Sequence, residues 1–173
     1  VLSMVADLRR KEFIAEFNPK PGETMKTIKK VLEHPVHVIR SAVIGSFIGI
    51  LPGAGSPIAA LVSYNEAIRW AKDKSRFGKG DLRGVTASEI ANNAAAPASM
   101  IPLVTLGVPG SSPAAVIAGA LMLRGLNPGP ELFQTNGTLV YSFGWSLMIA
   151  GFVTFILGSL FAPLLVRIIR IPL

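Results

Sequence analysis

The chain has 173 residues, half of them hydrophobic, with 17 Lys/Arg against 10 Asp/Glu and no cysteine. That composition excludes a disulfide framework, a thiolate nucleophile and a Cys-based metal site. The charge falls in basic blocks separated by uncharged apolar stretches, and mean hydropathy is +0.51, which suits an all-α integral membrane protein and speaks against a nucleic-acid binder.

Residues 1–40 are read as cytoplasmic or interfacial amphipathic helices. Asn18-Pro19-Lys20-Pro21-Gly22 is a turn. Residues 23–33 place Met25, Ile28 and Leu32 on one face and Lys26, Lys29 and Lys30 on the other, as in a helix lying on a membrane surface. Pro35 is expected to end that helix. His34 and His37 stand either side of it as interfacial histidines rather than a metal pair, because no carboxylate or Cys lies at a ligand-like spacing. The chain begins at Val1 without a basic-then-apolar leader, which reads as a piece of a longer polypeptide.

Residues 41–173 are read as a transmembrane transport region containing two Pro-Gly-interrupted segments, re-entrant or broken. In residues 41–70, Ser41–Leu51 is a half-helix, Leu51-Pro52-Gly53-Ala54-Gly55-Ser56-Pro57 is a break, and Ile58–Trp70 is helical again. Ser41, Gly45, Gly49 and Gly53 recur every four residues, a ridge that lets another helix backbone come close in lipid. Residues 71–83 are a basic loop. Thr86-Ala87-Ser88-Glu89 fits a capping box that would open a broken helix over 86–123, and the next turn brings Asn92 and Asn93 to the Glu89 side. Pro97 and Pro102 are expected to bend that helix. It is interrupted at Gly107-Val108-Pro109-Gly110-Ser111-Ser112-Pro113 and resumes over Ala114–Leu123, with Ser112 at the N-cap and Pro113 at the first helical position. Thr105 lies one turn before Pro109, where its hydroxyl could fill a freed carbonyl or face a ligand. After the turn-rich run Arg124–Pro130, Thr138–Val166 is an apolar helix. It would be roughly 44 Å long, more than the hydrocarbon core of a bilayer. Gly137, Gly144, Gly151 and Gly158 recur along one of its faces. Pro163 loosens its end, and Arg167 and Arg170 anchor it.

The charge distribution selects a topology. If 41–70 crossed the bilayer once, the basic blocks 1–40 and 66–83 would lie on opposite sides, against the positive-inside rule. A re-entrant 41–70 keeps both inside, lets 86–123 cross outward and lets 138–166 return.

The interruptions carry the chemistry. Proline and glycine cannot continue a helix, and irregular backbone survives in a membrane only where it is buried or lines a wet cavity. A half-helix begins with unpaired amides and the positive end of its dipole, so two such ends suit an anionic solute. Candidate substrate-binding residues are Ser56, Asn92, Asn93, Thr105, Gly110, Ser111 and Ser112. Candidate ion-binding residues, for Na⁺ at most, are Pro52, Gly53, Gly55, Gly107, Pro109 and Glu89. Catalysis is not expected: the glycine-rich breaks lack Gly-Lys-Ser/Thr, no Gly-x-Ser-x-Gly occurs, and both histidines lie in a separate segment. No cofactor is implied beyond a coupling ion, Na⁺ or H⁺.

The runs Gly84-Val85-Thr86-Ala87-Ser88-Glu89-Ile90-Ala91-Asn92-Asn93-Ala94 and Ile101-Pro102-Leu103-Val104-Thr105-Leu106-Gly107-Val108-Pro109-Gly110-Ser111 resemble the large membrane subunit of tripartite tricarboxylate transporters, the TctA family. Gly49–Gly55 and Gly125–Pro130 match further motifs of that family in order. The resemblance is strongest from Ser41 to Phe133; it departs from the family pattern at Ser88, where proline is usual, and at Pro97, where small flexible residues are. It implies a multi-pass permease of the bacterial inner membrane that imports carboxylates such as citrate on an ion gradient. It further implies two partners, a small membrane subunit and an extracytoplasmic solute-binding protein. The alternatives are an uncoupled anion channel and a non-transporting membrane assembly subunit.

Overall fold

A computed structural model describes residues 23–169, with side-chain surroundings for 25–162. The elements expected before residue 23, and the side chains of Pro163, Arg167 and Arg170, lie outside those bounds. The described residues are helical, with no strand: α1 Glu23–Leu32, α2 Pro35–Ile50, α3 Gly55–Trp70, α4 Leu82–Ala98, α5 Met100–Leu106, α6 Ser112–Leu123 and α7 Pro130–Ile169.

Several boundaries differ from the sequence reading, each for a local reason. Pro35 opens α2 rather than simply closing α1, because at the first helical position its missing amide forfeits no hydrogen bond. The helix then runs through Ser41 without a break. α3 begins at Gly55 behind Ala54, ahead of the expected Ser56-Pro57 start, and no side chain caps it. α4 starts at Leu82, not Thr86. Asp81 takes the N-cap position and accepts from the Arg83 amide (2.9 Å). With the helix already under way, Thr86 Oγ1 donates back to the Leu82 carbonyl (2.8 Å), and the proposed capping box is absent.

α2 and α3 form an antiparallel hairpin. Their far ends meet: the Arg40 guanidinium lies 5.6 Å from the centroid of the Trp70 ring. α4 packs along both limbs, and small residues spaced about one turn apart make the contact. The buried positions are Ser41, Gly45 and Gly49 on α2; Ala59, Ser63 and Ala67 on α3; and Gly84, Ala87, Ala91, Ala95 and Ala98 on α4. The approach is at backbone level. A Cβ on Gly45 would fall 2.3 Å from the Ala91 carbonyl oxygen, and one on Gly49 would fall 2.5 Å from that of Ala95. Gly53 does not extend the ridge; it is exposed at φ +78° in the hairpin turn, where a Cβ would meet nothing within 4 Å. At the open end of the hairpin, the His37 ring bonds the Arg83 carbonyl through Nε2 (3.0 Å) and meets the Arg40 guanidinium at Nδ1 (3.3 Å), tying α2 to the start of α4.

The second interrupted segment is arranged differently. α4 passes Pro97, turns at Ser99 and continues as α5, which ends at Gly107 in a left-handed conformation (φ +74°). The chain then steps back. The Gly110 amide donates to the Ser99 carbonyl (3.3 Å), and α6 packs alongside α5, with Ala114 and Ala118 against Leu103. A Cβ on Gly110 would lie 2.9 Å from the Gly49 carbonyl oxygen and 3.0 Å from Ser99 Cα, so this glycine is where the second break touches the end of α2. Gly107 sits instead against Pro128, whose carbonyl oxygen would lie 2.7 Å from an added Cβ.

α7 kinks at Asn136 (φ −135°, ψ 43°), close to where the apolar helix was expected to begin. Pro130–Ala162 is long and apolar enough to cross a membrane, with an 18-residue stretch of mean hydropathy 1.9, and α2 and α6 are shorter apolar helices. Gly137, Gly144, Gly151 and Gly158 carry open space where a Cβ would stand.

Candidate functional site

The two breaks open into one cavity of about 1430 Å³, walled by the α2–α3 turn, the middle of α4, the start of α6 and one face of α7. The first break supplies Gly53, Gly55 and Ser56, the second supplies Pro109, Ser111 and Ser112, and α4 supplies Asn92 and Asn93. These residues are far apart in sequence. They meet because Gly49 and Gly110 allow the end of α2 and the second break to touch.

The remaining candidates lie elsewhere. Thr105 is off the cavity and donates to the Ile101 carbonyl (2.7 Å), filling its own helix. Gly107 lies against Pro128, and Gly110 is buried behind Ser99. Pro52 and Glu89 are exposed but not among the lining residues. Glu89 holds Asn93 through its backbone, since the Asn93 amide nitrogen donates to the Glu89 carbonyl (2.8 Å). That leaves the Asn93 carbonyl oxygen and its second N–H free toward the cavity, beside Asn92.

The two serines of the second break are not equivalent. The α6 cap is Ser111, not Ser112. Ser111 is extended (φ −153°, ψ 166°), and its hydroxyl accepts from the Ala114 amide (3.3 Å). The hydroxyls of Ser111 and Ser99 are 2.8 Å apart, and Ser99 also donates to the Ala96 carbonyl (2.7 Å). A hydroxyl has one proton, so Ser99 spends its own on Ala96 and Ser111 donates to Ser99. The Ser111 proton therefore points away from the cavity. Ser112, exposed and first in the helix, presents its hydroxyl to the cavity with no partner among the described residues.

Chemically the cavity is mostly apolar, carries no charged side chain and gathers its donors at a few points. It combines the starts of α3 and α6, the hydroxyls of Ser56 and Ser112, and two side-chain amides. Helix starts favour negative charge by the dipole, and at α6 the Ser112 amide adds to it, since Pro113 has no N–H and the Ala114 and Ala115 amides are bonded to Ser111. Gly53, at the turn of the hairpin, lines the cavity and brings a carbonyl oxygen of the kind a small cation takes. Among the described residues, no three His, Asp or Glu gather into a metal cluster.

Two participants were not legible in the sequence. Ser99 sits in an Ala-rich run with no motif around it. Thr154, one of several hydroxyls along a long apolar helix, faces the cavity with Leu147, Ala150 and Gly151. That spacing is the one available signal, and it cannot say which face of α7 turns inward.

The chain matches the model of the tripartite tricarboxylate transporter TctA family over residues 2–173. Two proteins of Agrobacterium vitis are similar to it. One, described as an uncharacterized 52.8 kDa protein in the TAR-I ttuC' 3' region, is 38% identical over 135 residues, 78% of this chain and 27% of that protein. The other, described as an uncharacterized protein in the TAR-II ttuC' 3' region, is 38% identical over 128 residues, 74% of this chain and 53% of that protein. The match thus spans about a quarter of one relative and about half of the other. No solved structure matches the chain.

Proposed function

Because the chain belongs to the tripartite tricarboxylate transporter TctA family, we propose that residues 41–123 form the substrate-handling part of a permease subunit. In this reading the permease imports carboxylates across the bacterial inner membrane on a Na⁺ or H⁺ gradient. It works with a small membrane subunit and an extracytoplasmic solute-binding protein.

One observation carries the reading: two helix starts, α3 and α6, open on the same cavity, which Asn92 and Asn93 also line. A carboxylate there gains from both dipoles and from amide and hydroxyl donors, without a fixed cation whose attraction would slow its release. At the hairpin turn, Gly53 lines the cavity and offers one carbonyl oxygen to a Na⁺ beside the anion. In a bilayer the α2–α3 hairpin is re-entrant, with its turn at the depth of the cavity. α4 to α6 cross outward and α7 returns, so both basic stretches stay on the cytoplasmic side. The cavity exceeds the roughly 300–1,000 Å³ usual for small-molecule sites. In the longer permease, further helices would narrow it.

The test is uptake by the full-length permease with its partner proteins, using a panel of labelled carboxylates with and without sodium. Ser112→Ala combined with Asn93→Ala should abolish uptake while membrane insertion persists. Unchanged uptake removes the proposed site. Accumulation against a gradient separates this reading from an uncoupled anion channel, which cannot concentrate solute. A complete complex that binds no solute would indicate a non-transporting assembly subunit.

A further inference from the structure

The end of the molecule that carries Arg40 and Trp70 also carries α1 and the 71–81 loop. The acids around this loop are occupied internally. Glu66 accepts from Arg69 (3.2 Å) and from the Trp70 indole (3.0 Å). Asp73 accepts from the Ser75 amide (2.9 Å) and hydroxyl (2.7 Å). Asp81 is paired with Arg83 (2.6 Å). Among the described residues, Lys72, Lys74, Arg76 and Lys79 are left exposed and without a salt bridge. The loop that displays them is anchored: the Phe77 ring meets Tyr64 edge-on (5.9 Å), Arg83 lies over Phe77 (5.1 Å), and Arg83 also bonds the Asp73 carbonyl (3.0 Å).

Exposed apolar side chains lie at the same end. Trp70 is 67% exposed, Val36 75% and Ile39 63%; on α1, Met25 is 69% exposed and Leu32 64%. α1 also carries Lys26, Lys29 and Lys30, all exposed, and Glu33 just beyond its end makes no salt bridge among the described residues. Free cations over an anchored loop, beside exposed aliphatic side chains and a tryptophan, match an interface whose headgroups are anionic and whose next layer is hydrocarbon. An acidic protein in water would be met by the cations but would not account for the apolar band.

We propose that this end is a docking surface for anionic phospholipid headgroups, with Lys72, Lys74, Arg76 and Lys79 supplying the charge and α1 lying in the interface beside them. The proposal uses only the membrane part of the family reading, not the cargo.

The full-length permease, purified in detergent, is melted with added phosphatidylglycerol, phosphatidylcholine or inorganic phosphate. Phosphatidylglycerol should raise Tm, the other two should not, and the rise should shrink at high salt. In the variant with Lys72, Lys74, Arg76 and Lys79 all changed to Gln, Tm without lipid should match the parent. The phosphatidylglycerol needed for half the effect should rise at least tenfold. Changing Lys26, Lys29 and Lys30 to Gln should give a smaller shift in the same direction. Equal stabilisation by both lipids, an unaltered response in the four-site variant, the same effect from phosphate, or stabilisation by polyglutamate in place of lipid would each overturn the proposal. Transport with no lipid preference sinks this surface alone, and a lipid preference without transport sinks the cargo reading alone.

Discussion

Arg40 stacks on Trp70, 5.6 Å from the guanidinium carbon to the ring centroid, although a single straight helix would hold these residues about 45 Å apart. That contact folds 41–70 into a hairpin. Cysteine labelling of the full-length permease checks it, since this stretch carries no cysteine. Lys30→Cys and Lys74→Cys should both react from the cytoplasmic side, and Asn127→Cys from the outer side. Labelling of the first two from opposite sides rules out the hairpin in the membrane.

Gly45→Ala should destabilise the permease by about 2 kcal/mol or more, read as a fall in Tm. The added Cβ would sit 2.3 Å from the Ala91 carbonyl oxygen, and backbone cannot rotate aside as a side chain can. Gly119→Ala is the control. It lies inside α6 with nothing within 4 Å, so helix propensity alone should leave it neutral or more stable by up to about 1 kcal/mol.

The two serines of the second break should separate stability from transport. Ser111→Ala removes the α6 cap and should cost about 1 kcal/mol, whereas Ser111→Gly should cost a few tenths. Ser112→Ala should leave Tm unchanged and lower uptake. If Ser112→Ala lowers Tm as much as Ser111→Ala does, the assignment of the cap to Ser111 is wrong.

Asp81 gives a pH signature outside the membrane segments. Its hydrogen bonds from Arg83 hold the carboxyl down at about 2, below the ordinary 3.8. A depressed folded value means the unfolded chain binds the proton more readily. The stabilisation is therefore complete above pH ~4 and fades as pH falls from there through about 2. Melting curves of the purified permease between pH 5 and pH 3 should show a smaller loss of Tm in Asp81→Asn than in the parent. Asparagine keeps the cap and removes only the charge. Identical slopes would show that the Asp81–Arg83 pair adds nothing on acidification.

The helical class, the basic stretches and the small-residue periodicity of α2 could be read from the sequence because each depends on nearest neighbours. A fourfold Ser41-Gly45-Gly49 spacing implies close packing whatever the partner is. Helix starts were less legible, because several residues compete for each cap. Thr86-Ala87-Ser88-Glu89 satisfies a capping pattern, yet Asp81 starts α4 earlier, and Ser111 displaces Ser112 by one residue. The sequence left open whether Thr105 fills a backbone carbonyl or faces a ligand, and it held no sign that Gly107 would dock on Pro128.

By itself the sequence determined an apolar helical chain with two Pro-Gly interruptions, basic flanks, and amides and hydroxyls set where helices restart. Those properties are local, set by missing amide donors, side-chain volume and spacing along the helix. Only the tertiary structure decided that the first interruption folds its helices into a hairpin while the second steps back and resumes alongside. It also decided that Ser56, Asn93 and Ser112 share one cavity. The physical reason is that these outcomes rest on contacts such as Gly110 against Gly49, where two backbones meet. The absence of a side chain permits that meeting, but its partner is chosen by the packing of the whole.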